Sequence, residues 1–422
     1  MNFKRIYLST ALWAAIPTLA VSPVSAITIN LQYPGSPLFS AALDPTAKAA
    51  INAAAADISA AITSSLNTIN TDVYTGNNSS TTATFNFLYS YLDPVTGATV
   101  NIDTATAAAN TVTMFVGAQN IFGSTLGTGG HGGFGYGLSG LGSASNWVGA
   151  VAIAQSNANA AYKRGGGPVI SSISGQSTLG GATANFTFEY GVAYGQLSLD
   201  WDGNNNGIKD SDAELNNYWH FDHTTAVAGT KRDLYSVALH EMLHALGIGA
   251  SDSWDAKHSG TTWTGSNVLA LTGSGVGLTN PAADHIAEGT LSYRISDGTD
   301  QEVAMDPSIL IGSRKSLTAL DLAFLRDIGY STIIPSPPTF DPGDFEEDGD
   351  VDGMDLVIWQ NNFRLNAAGD ADNDLDTDGR DFLIWQRNYT GPLLTATSVA
   401  VPEPSAIMLL VGSVLAGLGM RG

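Results

Sequence analysis

The stretch from Asp233 to Gly247 reads DLYSVALHEMLHALG and predicts an amphipathic helix, with Asp233 as its N-cap, that carries a metal-binding motif. His240 and His244 are four residues apart, so both imidazoles lie on one face of the helix and can reach a single metal ion. Glu241 lies beside them. The pattern predicts a zinc site at which Glu241 is the general base of a hydrolase, because zinc lowers the pKa of its bound water.

A catalytic zinc ion ordinarily has three protein ligands, so a third must come from elsewhere in the chain. The residues that follow the motif leave four candidates: Asp252, Asp255, His258 and His285. His258 precedes an apparent loop tip. His285 precedes an apparent strand, at 289–295, and Asp284 or Glu288 can accept a hydrogen bond from its second ring nitrogen. On this reasoning alone the four candidates remain open.

The HExxHxxG sequence from His240 to Gly247 resembles the first part of the signature of the metzincin zinc metallopeptidases. Ala250 stands at the usual place of the third ligand of that family and cannot bind a metal ion. The stretch 302–308 resembles the metzincin Met-turn, which lies beneath the metal. The stretch 317–330, in which Thr318 and Asp321 form a capping box, resembles the C-terminal helix of serralysin-type members.

In leishmanolysin-like metzincins an insertion separates the glycine from a histidine that lies shortly before the Met-turn, and His285 occupies that place. The resemblance covers Leu197 to Tyr330. It implies a twisted mixed sheet with an active-site helix, a polypeptide substrate and Met305 as the structural Met-turn residue. It also implies zinc held by His240, His244 and His285. No tyrosine follows Met305 at the spacing that some metzincins use, which is a departure from the family pattern.

Between residues 341 and 381 the chain carries 14 acidic residues against two arginines. Two loops in this segment, 26 residues apart, place carboxylates at the ligand positions of an EF-hand-like calcium loop. The first loop offers Asp344, Glu346, Asp348, Asp350, Asp352 and Asp355, and the second offers Asp370, Asp372, Asp374, Asp376, Asp378 and Asp381. The pattern predicts two Ca²⁺ sites. The second is expected to be weaker, because Leu375 replaces the usual glycine.

A duplicated calcium loop followed by a helix resembles the type I dockerin module. The resemblance implies a small all-α, EF-hand-like module at 343–392 and a cohesin-like or surface-matrix partner. A weaker calcium pattern occurs at 202–210, where oxygen-bearing side chains occupy positions 1, 3, 5 and 9 of a similar loop. A turn rich in Asn and Gly that binds no metal explains that stretch equally well.

Both ends of the chain have the features of targeting segments. Lys4, Arg5 and an apolar run precede the small residues before Ile27, which predicts a signal peptide at 1–26. At the other end, Val401-Pro402-Glu403-Pro404 and a second apolar run resemble the PEP-CTERM sorting signal of Gram-negative bacteria. That resemblance implies a sorting tail at 393–422, transient membrane contact through it, and a location at the cell surface or in the extracellular matrix.

The 422 residues include 17 basic and 39 acidic side chains, a net charge of −22, which argues against nucleic acid as a partner. Cysteine is absent, so neither disulfides nor thiolate ligands are available. Strands followed by helices with polar clusters predict an α+β domain at 27–332, joined to the acidic module by a Pro-rich linker at 333–342. The predicted elements are a helix at 44–66 with Asp44 as its N-cap, strands of one sheet at 83–91, 99–102 and 111–116, a Gly-rich loop at 123–142, and strands at 151–154 and 184–200.

These patterns predict an exported zinc metalloendopeptidase that also binds Ca²⁺. Two alternatives remain from other classes. One is a non-catalytic, calcium-stabilised surface or matrix adhesion protein whose HExxH motif has lost activity, against which the intact Glu241 argues. The other is a zinc hydrolase that acts on something other than peptides.

Overall fold

The structure, a computed structural model, describes residues 27–102, 104–335, 341–372 and 376–391. The chain divides into two compact units, Met1–Pro337 and Pro338–Gly422, and the boundary falls within the predicted linker. The predicted signal peptide at 1–26 and sorting tail at 393–422 lie outside the described residues. Among the described helices, none has the length and apolar character needed to cross a membrane.

The described part of the first unit contains seven helices and sixteen strands. The helices are α1 (Asp44–Ala61), α2 (Ala144–Tyr162), α3 (Asp212–Tyr218), α4 (Leu234–Ala245), α5 (Asp252–Asp255), α6 (Ser266–Thr272) and α7 (Ala319–Asp327). The longer strands are β1 (Thr28–Gln32), β2 (Val73–Asn78), β3 (Thr81–Leu92), β4 (Thr99–Ile102), β5 (Thr111–Gln119), β6 (Gly127–His131), β7 (Gly133–Leu141), β8 (Val169–Leu179), β9 (Ala182–Gly191) and β10 (Tyr194–Asp200). The short strands are β11 (Trp219–His220), β12 (Arg232–Asp233), β13 (His258–Ser259), β14 (Thr262–Trp263), β15 (Leu291–Tyr293) and β16 (Asp300–Glu302).

The sheet nearest to α4 has the strand order β1-β5-β10-β6. Its first three strands run parallel, whereas the edge strand β6 runs antiparallel to β10. A second sheet has the order β2-β3-β4, with β7 also paired to β3, and β8 and β9 form a long hairpin. The unit is therefore a mixed α+β fold, as the order of elements predicts.

The prediction that the strands at 83–91, 99–102 and 111–116 share one sheet is wrong. β3 and β4 belong to the second sheet, while β5 is a central strand of the first. β5 pairs with β1 and with β10, which lies about 80 residues further along the chain. Alternating hydrophobicity identifies strands but carries no information on such distant partners.

Residues 123–142 form two strands, β6 and β7, and not the expected loop. β6 passes so close to α4 that a Cβ atom on Gly129 would lie 2.2 Å from the backbone oxygen of Glu241. On β7, a Cβ atom on Gly140 would lie 2.1 Å from the ring of Trp147. Glycine here permits close packing, which intrinsic strand propensity does not capture.

Two helix predictions also need correction. Residues 151–154 lie in the middle of α2 and not in a strand, because the small and apolar side chains of α2 recur at helical spacing and pack on β2 and β9. α1 ends at Ala61, five residues before the predicted end, and Asp44 is its first residue and not its N-cap. The Asp44 carboxylate instead accepts a hydrogen bond from the Leu38 amide at 2.8 Å.

α4 packs against β6, β10 and α1, and each of its residues except His244 is buried. Its N-cap is Asp233, as predicted, whose carboxylate accepts a hydrogen bond from the Ser236 amide at 3.1 Å. Arg314 pairs with the same carboxylate at 2.8 Å. A helix that is buried on all sides lies in the middle of a domain, so the position of α4 is fixed by the whole core around it.

Arg164 is fully buried just after α2. Its guanidinium donates hydrogen bonds of 2.5–3.0 Å to the backbone oxygens of Asn67, Ala108, Thr111 and Val192. These bonds join the end of α2 to the beginning of β5 and to the segment before β10. One side chain therefore supports the sheet on which α4 packs.

The second unit contains two described helices, α8 (Gly353–Asn362) and α9 (Gly379–Asn388), each preceded by an acidic loop. The indole of Trp359 on α8 donates to the backbone oxygen of Asp378 at 2.8 Å. The indole of Trp385 on α9 donates to the backbone oxygen of Asp352, also at 2.8 Å. The sequence repeat thus becomes a symmetric pair in which each helix supports the loop that precedes the other helix.

Replacing Arg164 with methionine leaves buried carbonyl groups without a donor, so we expect the free energy of unfolding to fall by more than about 3 kcal/mol. Urea unfolding followed by near-ultraviolet circular dichroism measures the change. Lys163→Met is the matched control, since Lys163 is exposed and its ion pair with Glu189 lies at the surface. Equal stability of the two variants would contradict the assigned role of Arg164.

Candidate metal centre

Three imidazoles converge at the C-terminal half of α4. His240 and His244 come from successive turns of α4, and His285 comes from the segment before β15. The Nε2 atoms of His240 and His244 are 3.2 Å apart, and the Nε2 atom of His285 lies 3.1 Å from each of them. The structure therefore brings together the three histidines that the sequence analysis selected.

The second nitrogen of each ring determines which nitrogen carries the proton. The Nδ1 atom of His240 is 2.8 Å from the backbone oxygen of Ala304, and that of His244 is 2.8 Å from the backbone oxygen of Ile248. Since a carbonyl oxygen only accepts hydrogen bonds, both Nδ1 atoms must be protonated. Both Nε2 atoms of the neutral rings then present lone pairs to one another and to His285.

This arrangement fits a zinc ion. Lone pairs of several nitrogens that point at one spot repel one another unless a cation lies between them. Four ligands in a tetrahedron at the usual Zn–N distance of about 2.0–2.1 Å place their nitrogen atoms about 3.3–3.4 Å apart, close to the spacing of these three Nε2 atoms. Three ligands leave a fourth position open, as in catalytic zinc sites.

His285 is held by hydrogen bonds on several sides. Its Nδ1 atom lies 2.9 Å from Asp284 Oδ1, which settles the predicted choice between Asp284 and Glu288. Its neighbour Ile286 donates a backbone hydrogen bond to Met305 at 3.0 Å. Gly249 lets this segment approach the end of α4, because a Cβ atom there would lie 2.0 Å from the backbone oxygen of Asp284. The strand after His285 is shorter than predicted and covers only Leu291–Tyr293.

The stretch 302–308 is pinned to the beginning of α7 by one buried carboxylate. Asp321 accepts hydrogen bonds from the backbone amides of Ala304 and Met305, at 3.0 and 3.2 Å. It also completes the predicted capping box with Thr318. Because the Ala304 oxygen faces His240, Asp321 positions that imidazole through two consecutive contacts. Met305 itself is fully buried.

Burial of the site also determines the protonation states of its two helix histidines and of Glu241. Burial, and then the nearby His244, hold the pKa of His240 well below its usual value. Burial and the nearby His285 lower the pKa of His244 to about 4. Both rings are therefore neutral at pH 7, so a cation does not have to displace a proton from either ring to bind. Burial raises the pKa of Glu241 to about 8, although a hydrogen bond from the Gly129 backbone opposes the shift.

The three histidines and Glu241 lie in a cleft of about 950 Å³. One wall is the stretch 124–129, which includes the first half of β6, and another is the stretch 306–311. Glu241 is only 8 % exposed, so its carboxylate is shielded from bulk water, and it lines the same cleft as the imidazoles. A buried carboxylate next to a potential metal position is the arrangement that general-base chemistry requires.

The other candidate ligands lie elsewhere. His258 is on the β13–β14 hairpin, where its Nδ1 atom lies 2.8 Å from the backbone oxygen of Gly260. Asp255 is near His258, and Asp252 accepts a hydrogen bond from Ser172 at 2.7 Å. None of the three belongs to the metal-ligand groups found among the described residues.

In the acidic loops of the second unit, part of the predicted calcium ligands lie close to one another. Among the described residues of this unit, three sets of three acidic side chains lie close enough for each set to share one cation. They are Glu346, Asp352 and Asp355; Asp370, Asp372 and Asp381; and Asp376, Asp378 and Asp381. Asp344, Asp348 and Asp350 lie in the first loop but outside these groups, and Asp374 lies outside the described residues. Desolvation, and then the surrounding carboxylates, raise the pKa of Glu346 and of Asp350, the direction expected where negative charges lie close together.

Two positioning features were missed in the sequence. The role of Asp321 was limited to the capping box, although a carboxylate with several acceptor positions can also hold the stretch 302–308. The glycines of β6 predict a loop from sequence alone, although they allow the strand to pack closely against α4 at Glu241. Periodicity detects neither feature, because both are contacts between distant segments.

A comparison with protein-family models found no family that matches the chain, and a comparison with curated proteins found no similar sequence. The site is therefore interpreted from its own geometry.

Replacing His285 with alanine leaves two imidazoles, so we expect the protein to lose most of its bound zinc and all of its hydrolytic activity. His258→Ala is the matched control and is expected to keep both. Zinc content measured by mass spectrometry on the purified variants gives the result. Loss of zinc in His258→Ala together with its retention in His285→Ala would move the third ligand to the hairpin.

Calcium should order the second unit, because its crowded carboxylates repel one another without a cation. We expect limited proteolysis of the full chain to cut within 343–392 in chelator and to spare that region in millimolar Ca²⁺. Asp355→Asn should abolish much of this protection, whereas Asp341→Asn, an exposed position outside the loop, should preserve it. An identical cleavage pattern with and without calcium would refute the calcium sites.

Proposed function

We propose that the first unit is an exported, zinc-dependent metalloendopeptidase of metzincin type. The observation that carries this proposal is the convergence of the His240, His244 and His285 Nε2 atoms within 3.2 Å of one another, beside Glu241. These donors fit zinc in type, number and spacing. Zinc bound there supplies an acidic water molecule and polarises the carbonyl group that is attacked.

Glu241 takes the role of general base in this proposal. Its burial raises its pKa to about 8, and a cation held by the adjacent histidines would favour the ionised form, which is the form that accepts a proton. After accepting the proton from water, the same carboxyl group can pass it to the leaving amine. The low exposure of Glu241 keeps this proton from exchanging freely with solvent.

A polypeptide substrate is supported by the wall of the cleft. β6 is an edge strand of its sheet, and Gly127, Thr128 and Gly129 line the cleft. The backbone of an edge strand can pair with an extended peptide, which a small substrate does not need. The volume of the cleft, about 950 Å³, also accommodates several residues of a chain.

The second unit is proposed to be a dockerin-like calcium module that attaches the enzyme to a cohesin-like or surface-matrix partner. Its support is the duplicated acidic loop with gathered carboxylates before α8 and before α9. With the targeting segments expected at both ends, the protein is proposed to act at the surface or in the extracellular matrix of a Gram-negative bacterium.

Glu241→Gln keeps the size of the side chain but removes the base, so we expect zinc to stay bound while peptide hydrolysis falls by about 10²–10⁴-fold. Digestion of a broad peptide library, with zinc content measured in parallel, provides the test. Glu189→Gln, on β9 and outside the cleft, is the control and should cleave as the parent does.

Three outcomes separate the proposals. Cleavage by Glu241→Gln at the parental rate would exclude Glu241 as the base. A parent that binds zinc but cleaves no peptide in the library would favour a hydrolase with another substrate. A parent that binds no zinc would favour the adhesion protein.

A further inference from the structure

Two buried oxygens without a hydrogen-bond partner belong to the segments that end β5 and β10. Asp200, the last residue of β10, is fully buried. Its Oδ1 atom accepts hydrogen bonds from the amides of Ile121 and Asp202, at 3.1 and 3.0 Å, but its Oδ2 atom has no partner among the described residues. The side-chain oxygen of Asn120, one residue before Ile121, has none either. Burying a carboxylate oxygen without a hydrogen-bond partner costs free energy, and a bound ligand would offset that cost.

The loop that follows Asp200 is folded like the first acidic loop of the second unit. Asp202 is fully buried and accepts hydrogen bonds from the amides of Asn206 and Gly207, at 3.1 and 2.7 Å. In the acidic loop, the carboxylate at position 1 accepts hydrogen bonds from the amides at positions 5 and 6 in the same way, at 3.2 and 2.9 Å. Because Asp202 N contacts the Asp200 carboxylate, that carboxylate faces the beginning of this loop.

The negative charge at this place is not balanced. Asp210 is also buried, and none of Asp200, Asp202 and Asp210 has an ion pair with a basic side chain in the described part of the chain. Burial raises the pKa of Asp200, although hydrogen bonds from two amides oppose the shift, and Asp202 and Asp210 raise it further. Burial and neighbouring carboxylates likewise raise the pKa of Asp210.

We propose that the loop 202–210 binds a calcium ion through the side-chain oxygens of Asp202, Asn204, Asn206 and Asp210, at positions 1, 3, 5 and 9, with the unpartnered Asp200 carboxylate beside them. The carboxylates of Asp200, Asp202 and Asp210 do not all lie within 4.8 Å of one another in this structure, so the ion would draw them together. All these donors are oxygens, which excludes zinc as the preferred ion. The loop is also built from several Asn and Gly residues, and calcium accepts the variable geometry of such a loop better than magnesium does. This site is separate from the histidine centre and does not depend on the proposed peptidase activity.

The ion would support the rim of the cleft. The Gly123 amide donates to the side chain of Asn205 at 2.8 Å, and the side-chain amide of Asn205 donates back to the Gly123 oxygen at 3.0 Å. Ile121 is bound to Asp200, as described above. The next residues, from Ser124 onward, line the cleft. A cation at Asp200 and Asp202 therefore orders the loop and, through these contacts, the stretch 120–126.

Hydrogen exchange on the full chain tests the proposal without any substitution. At calcium ten times above the dissociation constant, we expect amide exchange in 120–126 and in 202–210 to slow by roughly tenfold. Peptides from 344–381 report on the second unit in the same experiment, so the two kinds of calcium site are read separately. Unchanged exchange in 120–126 and 202–210 at millimolar Ca²⁺ would overturn the proposal, whatever the second unit does.

A pair of variants tests the site independently through the number of calcium ions bound per chain. Asp202→Asn keeps the shape of the side chain and should bind one calcium ion fewer per chain than the parent in equilibrium dialysis, with zinc content unchanged. Asp212→Asn, an exposed position just beyond the loop, should bind as many as the parent. Equal calcium stoichiometry in a folded Asp202→Asn variant and the parent would also overturn the site.

Discussion

The first unit depends on one electrostatic constraint, which is the meeting of three imidazole lone pairs at a single point inside the protein. His240 and His244 each give the Nδ1 proton to a fixed backbone oxygen, so each Nε2 atom can only accept. Such a meeting is unfavourable in a metal-free protein and persists only because the surrounding core holds each ring in place. A cation bound between the three nitrogens would relieve this repulsion, and that is the physical argument for the proposed metal site.

The elements around the centre can be understood as its supports. Asp321 holds the Ala304 oxygen against His240, and Asp284 holds His285. Gly129 and Gly249 supply no side chain at all, yet without them neither β6 nor the Asp284 segment could reach the end of α4. The carboxylates determine how the imidazoles are oriented, and the glycines determine how closely the neighbouring segments approach α4.

Whether a feature of the fold or the site could be predicted from the sequence depends on how far apart along the chain its interacting residues lie. The Asp233 cap, the capping box of α7 and the HExxH spacing are local, and the sequence analysis placed them correctly. The wrong assignments, β5 in the sheet of β3 and a loop in place of β6 and β7, involve partners far apart along the chain. The helix at α2 was missed for another reason, since Val151 to Ala154 is too short a window to separate a strand from a buried helix. The selection of His285 among four candidates needed the family resemblance as well as the residues, because His258, only 14 residues after His244, could also reach the site.

The two indole hydrogen bonds of the second unit couple its two acidic loops to each other. Trp359 holds the loop before α9, and Trp385 holds the loop before α8. Each helix can support the opposite loop only when its own first turn is formed, and that turn is completed by the aspartates of its own loop. Occupancy of one loop thus lowers the entropic cost of ordering the other. If both loops bind Ca²⁺ as proposed, we expect them to fill as a cooperative pair, with a saturation curve steeper than a hyperbola. A single loop removed from its twin would lack the indole hydrogen bond that holds it.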